Sequence, residues 1–252
     1  MSAAPLVRIE VAEPGITLIT LSRPERLNAL SLPTITALKD AFAAVGRDSG
    51  TRVAVLTGAG RGFCAGLDLK DPGASPVSTG LDGVASAMRG QAYFGDVVLR
   101  LRSMPQPVVA ALNGVAVGGG LALAAACDVR IAAESARFNV QALRIGLSAG
   151  ETGLSFTLPH LVAAAPAFEL LLTNRFFDAA EAERIGFVHR VVADDEVLDA
   201  ALDVARTIAE HDGALLVAAK RAMWANLTAP SAETAMLVER GARAVDKEPV
   251  DA

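Results

Sequence analysis

The sequence predicts a mixed α/β fold in which repeated strand–strand–helix units are followed by a helical tail. Short runs rich in Val and Ile alternate with helical segments up to about residue 193. From Asp194 onward the patterns are helical, in three pieces separated by Gly213 and Pro230. We therefore expect a core that spans residues 1–193 and a C-terminal helical region that spans residues 194–252.

Composition and charge narrow the class of protein. The chain has 252 residues, of which 52% are hydrophobic, and this is enough for a large core. The net charge of −5 argues against a general nucleic-acid binder. The uncharged stretch 103–127 has the length of a membrane span, but prolines and glycines interrupt it, so we expect a buried strand–loop–helix. Cys64 and Cys127 lie in apolar sequence without metal-ligand spacing, which predicts reduced thiols, a cytoplasmic location and no metal.

The first elements follow from turn and capping signals. Two apolar runs, 7–11 and 16–21, flank the turn sequence Glu13-Pro14-Gly15 and predict a β-hairpin. Ser31 is placed to cap a helix that runs to about residue 46. The chain is thus expected to begin with two paired strands and one helix.

The later elements are read from apolar runs and helix boundaries. Strands are predicted from short runs rich in β-branched and apolar residues, at 52–57, 108–112, 129–132 and 188–192. Helices are predicted at 84–103, at 151–173 with breaks near Pro159 and Pro166, and from the capping box at Asp178 to Gly186. Residues 137–145 are expected to form one extended piece, and residues 71–82 a surface loop.

The glycine run Gly118–Gly120 lies between a predicted strand and a predicted apolar helix. Glycines at such a junction leave backbone N–H groups unshielded, and the helix N-terminus behind them adds partial positive charge. This arrangement suits the stabilisation of an oxyanion. The loop 64–68 also consists largely of small residues after a buried strand, and it is a candidate for a second donor.

Two other glycine-rich sequences suggest different chemistry. Gly58–Gly62 resembles the start of a dinucleotide-binding fingerprint, but residue 63 is Phe where that motif needs Gly. Gly146-Leu147-Ser148-Ala149-Gly150 matches the nucleophile elbow of serine hydrolases. Asp178 and His189 are candidate partners of Ser148 but leave little chain between acid and base.

In order and spacing, several motifs together resemble the crotonase superfamily, the enoyl-CoA hydratase/isomerase family. The resemblance covers nearly the whole chain. It rests on the sequences RPERLNAL at 23–30, LTGAGRGFCAGLDL at 56–69, PVVAALNG at 107–114, GGG at 118–120, CD at 127–128 and AAEA at 179–182.

This resemblance implies a spiral core of repeated ββα turns and a C-terminal helical region used in trimer packing, with trimers often paired into hexamers. It implies acyl-CoA thioesters as ligands, with CoA as part of the substrate and no tightly bound cofactor. The thioester oxygen is expected between the N–H groups of Ala65 and Gly119. The remaining expected CoA contacts are Arg23, Arg26, Leu27, Gly66, Leu67, Asp68 and Lys220.

The chain departs from the family at the two glutamates that activate water in hydratases. These positions fall on Ala122 and Ala142. Each general acid–base group typically contributes about 10²- to 10⁴-fold, so ordinary hydration is expected to be very slow. Glu151 is the best remaining candidate acid or base, and its predicted place at a helix N-terminus favours its charged form.

The sequence therefore leads to an enzyme of the hydratase/isomerase type that stabilises a thioester enolate with atypical acid–base groups. A catalytically silent acyl-CoA-binding protein is the first alternative. A serine hydrolase that uses Ser148 is the second.

Overall fold

We analysed a computed structural model, which describes residues 4–70, 93–146, 148 and 152–244. Ten strands lie in the described ranges. They are β1 (Val7–Glu13), β2 (Ile16–Leu21), β3 (Val53–Gly58), β4 (Gly62–Cys64), β5 (Val108–Leu112), β6 (Val115–Val117), β7 (Val129–Ala133), β8 (Arg137–Asn139), β9 (Phe177–Asp178) and β10 (Arg190–Val192).

Nine helices lie in the same ranges. They are α1 (Leu32–Arg47), α2 (93–102), α3 (Gly119–Ala126), α4 (Leu154–Val162), α5 (Ala164–Thr173), α6 (Ala179–Arg184), α7 (Val197–Ala209), α8 (Gly213–Asn226) and α9 (Ala232–Ala244). Ser31 caps α1 as expected, because its side chain accepts a hydrogen bond from the Thr34 N–H.

The strands form two sheets, and the chain alternates between them. One sheet has the order β1-β2-β3-β5-β7-β10 and the other β4-β6-β8-β9. Consecutive strands β3/β4, β5/β6 and β7/β8 therefore belong to different sheets. Apart from the β1–β2 hairpin, the pairs of the first sheet are parallel. This is the expected architecture of repeated ββα turns.

The core has two parts, one on each face of the larger sheet. The main cluster joins the inner faces of both sheets to α1, α2 and α3. The second cluster packs α7 on the opposite face, through residues such as Val197, Ala201 and Ala205. Because α3 is buried along nearly its whole length and packs against β4, β6 and α4, its position relative to the smaller sheet is fixed.

The three helices of the tail differ in their contact with the core. The apolar face of α7 is buried on the sheet, whereas in α8 the only buried residue is Lys220. Apolar side chains of α8 and α9 are exposed at Leu215, Met223, Met236 and Leu237. Within the described ranges, no helix has the length and apolar character needed to cross a membrane.

Two element predictions were wrong. Residues 137–145 do not form one extended piece, because β8 ends at Asn139 and a 3₁₀ turn spans Leu143–Ile145 after a left-handed residue, Gln141 (φ 58°). Pro159 does not break a helix but lies inside α4. The break between α4 and α5 falls at Ala163 (φ 65°). The surface loop 71–82 and the start of the helix predicted at 84–103 lie outside the described residues.

Candidate active site

The glycine run forms the N-terminus of α3. Gly118 is the N-cap with φ 53° and ψ −114°, and no side chain caps the helix. The Gly118 N–H donates to Asn139 O at 2.9 Å, and the first bond within the helix runs from Ala122 N–H to Gly118 O. The N–H groups of the first turn therefore point out of the helix without an internal acceptor.

The glycines let the 64–68 loop and the glycine run approach closely. A Cβ at Gly120 would lie 2.1 Å from Cys64 O, and a Cβ at Gly66 would lie 2.4 Å from Val117 O. Neither distance is possible for a larger residue. The Gly66 Cβ position is also 3.3 Å from Gly119 N. The two loops thus meet at the start of α3, as an oxyanion hole built from both of them requires.

The structure corrects the donor expected from the 64–68 loop. The Ala65 N–H donates to Leu27 O at 2.9 Å, so it is already paired within the protein. Leu30 N–H donates to Gly66 O at 2.7 Å, and Asp68 N–H donates to Leu30 O at 3.1 Å. Residues 27–30 thus bond to alternate backbone groups of the loop, as in the pairing of parallel strands. The Leu67 N–H is not used in this pairing.

Two of the N–H groups that remain for a ligand at this junction lie next to Gly66. Among the described residues, neither Leu67 N–H nor Gly119 N–H has a hydrogen-bond acceptor. Both adjoin Gly66, one through its own peptide bond and the other across the 3.3 Å approach. Sequence reasoning missed Leu67 as a donor because the pairing with residues 27–30 decides which N–H is left.

The surroundings of these donors are apolar. A Cβ at Gly119 would lie 3.0 Å from Leu30 Cδ1 and 3.9 Å from Phe94 Cδ1. Ala122 and Ala142, which were expected at the two glutamate positions, are 2% and 7% exposed and belong to the main hydrophobic cluster. In this part of the site the described side chains therefore define the shape of the site and exclude water from it.

Two asparagines fix the loop 58–62 that precedes the site. The buried Asn28 side chain donates to Ala59 O and Gly62 O and accepts from Arg23 N–H. The Asn113 side chain donates to Gly58 O and Gly60 O. The N–H groups of Gly58 and Ala59 are also paired, with Asn113 Oδ1 and Leu21 O. A nucleotide phosphate needs such N–H groups, which is a further argument against a dinucleotide-binding loop.

An ion pair between Arg23 and Asp68 holds the 64–68 loop in place. Arg23 Nη2 lies 2.9 Å from Asp68 Oδ2, and Arg23 Nη1 donates to Ala29 O at 2.7 Å. Burial raises the pKa of Asp68, but hydrogen bonds from Arg23 and from the Lys70 N–H outweigh it, together with the nearby charges of Arg23 and Arg26, so the net pKa lies below the usual range. Asp68 is thus an ionised structural group. Arg23 is committed to it, whereas Arg26 is exposed.

Lys220 does not lie where a CoA phosphate contact is expected. Its residue is 8% exposed, its Nζ donates to Gln106 O at 2.9 Å, and it pairs with Asp128 Oδ2 at 2.9 Å. The second oxygen of Asp128 accepts from Trp224 Nε1 at 2.7 Å. Lys220 therefore fastens α8 to the core, and its assignment to the CoA site was wrong.

The proposed proton-transfer groups lie at the margin of the described structure. Glu151 is outside the described residues, and Ser148 is exposed. Asp178 caps α6, because its Oδ1 accepts from the Glu181 N–H at 2.9 Å. Asp178 therefore serves as a helix cap and not as the acid of a serine hydrolase triad.

The cysteines and other metal-binding residue types show no reactive site. Cys64 and Cys127 are free and buried, and burial raises the pKa of each thiol to about 12. In the part of the chain that the structure describes, no three His, Cys, Asp or Glu residues are grouped to hold a metal ion.

Comparisons with known proteins place this geometry in context. A family model described as enoyl-CoA hydratase/isomerase matches residues 11–243. A protein of Mycobacterium bovis named as a probable enoyl-CoA hydratase is 44% identical over 238 residues, which are 94% of this chain and 84% of the relative. The 1,2-epoxyphenylacetyl-CoA isomerase of Escherichia coli is 38% identical over 197 residues, with 78% of this chain and 74% of the relative covered.

Solved structures agree with these sequence relatives. A monofunctional enoyl CoA isomerase from M. smegmatis superposes with a TM-score of 0.78 at 39% identity. The match covers 92% of this chain and 99% of that structure. Hydratases and isomerases are thus both among the proteins that this chain resembles.

Proposed function

The chain belongs to the enoyl-CoA hydratase/isomerase family, and from that premise we propose that it binds the thioester oxygen of an acyl-CoA between the N–H groups of Leu67 and Gly119. The observation that supports this site is the meeting of two loops, each of which keeps one N–H without a protein acceptor among the described residues. Gly119 is retained from the sequence expectation, and Leu67 takes the place of Ala65.

The chemical step that such a site favours is the formation of a thioester enolate. Loss of a proton next to the carbonyl moves negative charge onto the thioester oxygen, where two N–H groups and the N-terminus of α3 receive it. One such donor is typically worth about 10²–10³ in rate. The apolar surroundings increase this effect because they exclude water.

We assign the proton transfer to Glu151 and the reaction to double-bond isomerisation rather than to hydration by two glutamates. With alanine at 122 and 142, the usual pair that activates water is missing. A single carboxylate suffices for isomerisation, since it can remove a proton from one carbon and return it to another. The isomerases among the similar proteins favour the same choice.

The CoA moiety is proposed to lie along the outer face of residues 26–27 and 66–68. Arg26 is the exposed cation in this segment and suits a phosphate. Arg23 contributes indirectly, because it holds Asp68 and thereby the loop that carries the Leu67 N–H. No further tightly bound cofactor is needed for this chemistry.

We also propose that the protein works in the cytoplasm as a trimer or a dimer of trimers, with 194–252 as a helical region appended to the core of 1–193. The exposed side chains Phe168, Leu172 and Phe176 are the kind that assembly buries. The free thiols suit a reducing compartment.

The decisive experiment is an assay of purified protein with 2-enoyl-CoA and 3-enoyl-CoA of the same chain length. We expect interconversion of the two double-bond isomers and at most slow hydration. Glu151→Gln should abolish isomerisation, whereas Glu210→Gln, which removes a carboxylate from an exposed helix end, should not. Equal isomerisation rates for wild type and Glu151→Gln would remove Glu151 from the mechanism.

The two alternatives give different results in the same preparation. A silent acyl-CoA-binding protein would bind CoA esters without converting any of them. A serine hydrolase would be labelled covalently at Ser148 by a serine-directed phosphonate.

A further inference from the structure

We propose that Arg130 strengthens the oxyanion hole from the opposite end of α3, by opposing the negative end of the helix dipole with its buried charge. The proposal rests on the proposed function, because it needs an oxyanion at the N-terminus of α3. Arg130 does not touch that site and acts through the helix between them.

Arg130 holds the C-terminal end of α3. It lies on β7, and its Nη1 donates to the carbonyl oxygen of Cys127, the C-cap residue, at 2.6 Å. Its Nε donates to Phe187 O at 2.5 Å, and its guanidinium lies 5.6 Å from the centroid of the Phe187 ring. The cation is thus fixed beside the C-terminus of α3, on the carbonyl of the residue that ends the helix, where a positive charge opposes the negative end of the helix dipole.

The burial of this charge needs an explanation. Arg130 is 8% exposed, and among the described residues no carboxylate lies within ion-pair distance of its guanidinium. Burial lowers the pKa of Arg130, against the smaller opposing effects of Cys127 and Asp128. An uncompensated buried guanidinium is costly, and two backbone carbonyls alone could be satisfied by neutral donors.

Two of the other charges at this end cancel. Asp128 follows Cys127 and pairs with Lys220 at 2.9 Å, so the two are neutral as a unit. Arg102 is a further cation that interacts with Asp128, and its guanidinium lies 4.2 Å from the centroid of the Trp224 ring. Arg130 therefore supplies a positive charge at the C-terminus of α3 that the Asp128–Lys220 pair does not offset.

The expected size follows from the length of α3. Its 8 residues span about 12 Å at 1.5 Å per residue. Coulomb's law over that distance, with an effective dielectric constant of about 20, gives a stabilisation of the oxyanion of roughly tenfold. Salt screens this effect little because the intervening helix is buried.

Two substitutions of opposite sign test the electrostatic role. Arg130→Met removes a positive charge near the C-terminus of α3, and Asp128→Asn removes a negative one. The probe is butyryl-CoA with a carbon-13 label at the carbonyl, whose infrared stretching frequency falls as its oxygen is polarised. Relative to bound wild type, we expect a higher frequency in Arg130→Met and a lower frequency in Asp128→Asn. Arg184→Met, an exposed variant that loses the same charge, is the matched control and should resemble wild type.

The direction of the two shifts separates electrostatics from loosened packing. A purely structural role for these residues would move both frequencies toward the value of free butyryl-CoA, and that result would overturn the proposal. Turnover with enoyl-CoA should fall about tenfold in Arg130→Met and should not fall in Asp128→Asn if the field alone is changed. Should Arg130→Met fail to fold, Asp128→Asn alone decides, since only the electrostatic role predicts a greater shift than in wild type. If butyryl-CoA has the same carbonyl frequency when bound to wild type as when free, that result would instead overturn the oxyanion hole, and with it the proposed function.

Discussion

The two loops that meet at the site reach the same result by different means. The 64–68 loop is held on both sides of its donor, by the Ala65–Leu27 and Asp68–Leu30 bonds and by the Arg23–Asp68 ion pair. The glycine run has a single backbone bond at its entry, from Gly118 N–H to Asn139 O, and is otherwise shaped by steric contact. The Leu67 N–H is thus unpaired because strand-like pairing skips it, and the Gly119 N–H is unpaired because it lies at the start of a helix.

This difference indicates which substitutions should displace each of the two N–H donors. In the first loop, side chains and their charges maintain the geometry, so polar substitutions should disturb it. In the glycine run, the absence of a side chain at Gly120 maintains the geometry, so an added carbon there should disturb it. The predictions below test this contrast, beginning with the largest expected effect.

The largest effect is expected from Gly119→Pro. Proline is well tolerated at the first position of a helix, and Gly119 occupies that position in α3, so the change chiefly removes one N–H. We expect turnover with enoyl-CoA to fall by about 10²–10³-fold, or about 2.7–4 kcal/mol. Gly119→Ala is the matched control, since it adds a Cβ near Leu30 but keeps the N–H. Equal losses in the two variants would show that Gly119 N–H is not a donor to the substrate.

Gly120→Ala should be the most damaging of the small changes to stability. Its Cβ would lie 2.1 Å from Cys64 O, and two backbones cannot separate without moving α3. We expect the free energy of unfolding to fall by about 3 kcal/mol. Gly213→Ala is the control, because a Cβ there meets no atom within 4 Å. Denaturant unfolding of both variants measures the difference, and similar midpoints would contradict the close approach of the two loops.

Asn28→Ala should cost somewhat less, about 2 kcal/mol. It deletes a buried side chain that donates to Ala59 O and Gly62 O and accepts from Arg23 N–H. Asn28 also has φ 57°, where alanine is less favourable. The unfolding free energy is the measurement. Asn28→Asp is expected to cost more than Asn28→Ala, because its buried carboxylate would face Ala59 O and Gly62 O, which are acceptors like itself. A smaller loss in Asp than in Ala would argue against this account.

The smallest effect is expected from Asp68→Asn, about 1 kcal/mol at pH 7. The folded protein lowers the pKa of Asp68, so its ion pair stabilises the fold above the unfolded-state pKa of about 3.9 and is lost as the pH falls through the folded-state value. The difference in unfolding free energy between wild type and Asp68→Asn should therefore shrink as the pH is lowered below about 4. A difference independent of pH would mean that the charge of Asp68 contributes nothing.

Local signals predicted most elements of the fold. Ser31 and Asp178 cap helices, as their positions before apolar or acidic helical sequences indicate. The three-residue strand β6 escaped prediction because Gly114 and Gly118 enclose it and three residues are too few to show a strand pattern. Its strand conformation depends on pairing with β4 and β8, and such pairing is not visible in a single segment.

The candidate site was predictable in its location but not in its atoms. The glycines marked the close approach, since Gly66 and Gly120 each avoid a specific collision. Which N–H of the 64–68 loop remains over depends on residues 27–30, and that pairing spans about forty positions of sequence. Lysine is a residue type that is usually exposed on helices. The burial of Lys220 depends on its pairing with Asp128, which lies far away in the chain.

The bond from Lys220 to Gln106 O joins positions 114 residues apart. On the ribosome, the glycine run and α3 are made well before α8. Asp128 thus remains without its ammonium partner until α8 has been synthesised. Translation of α8 therefore sets the earliest moment at which a newly made chain carries charge balance behind the helix.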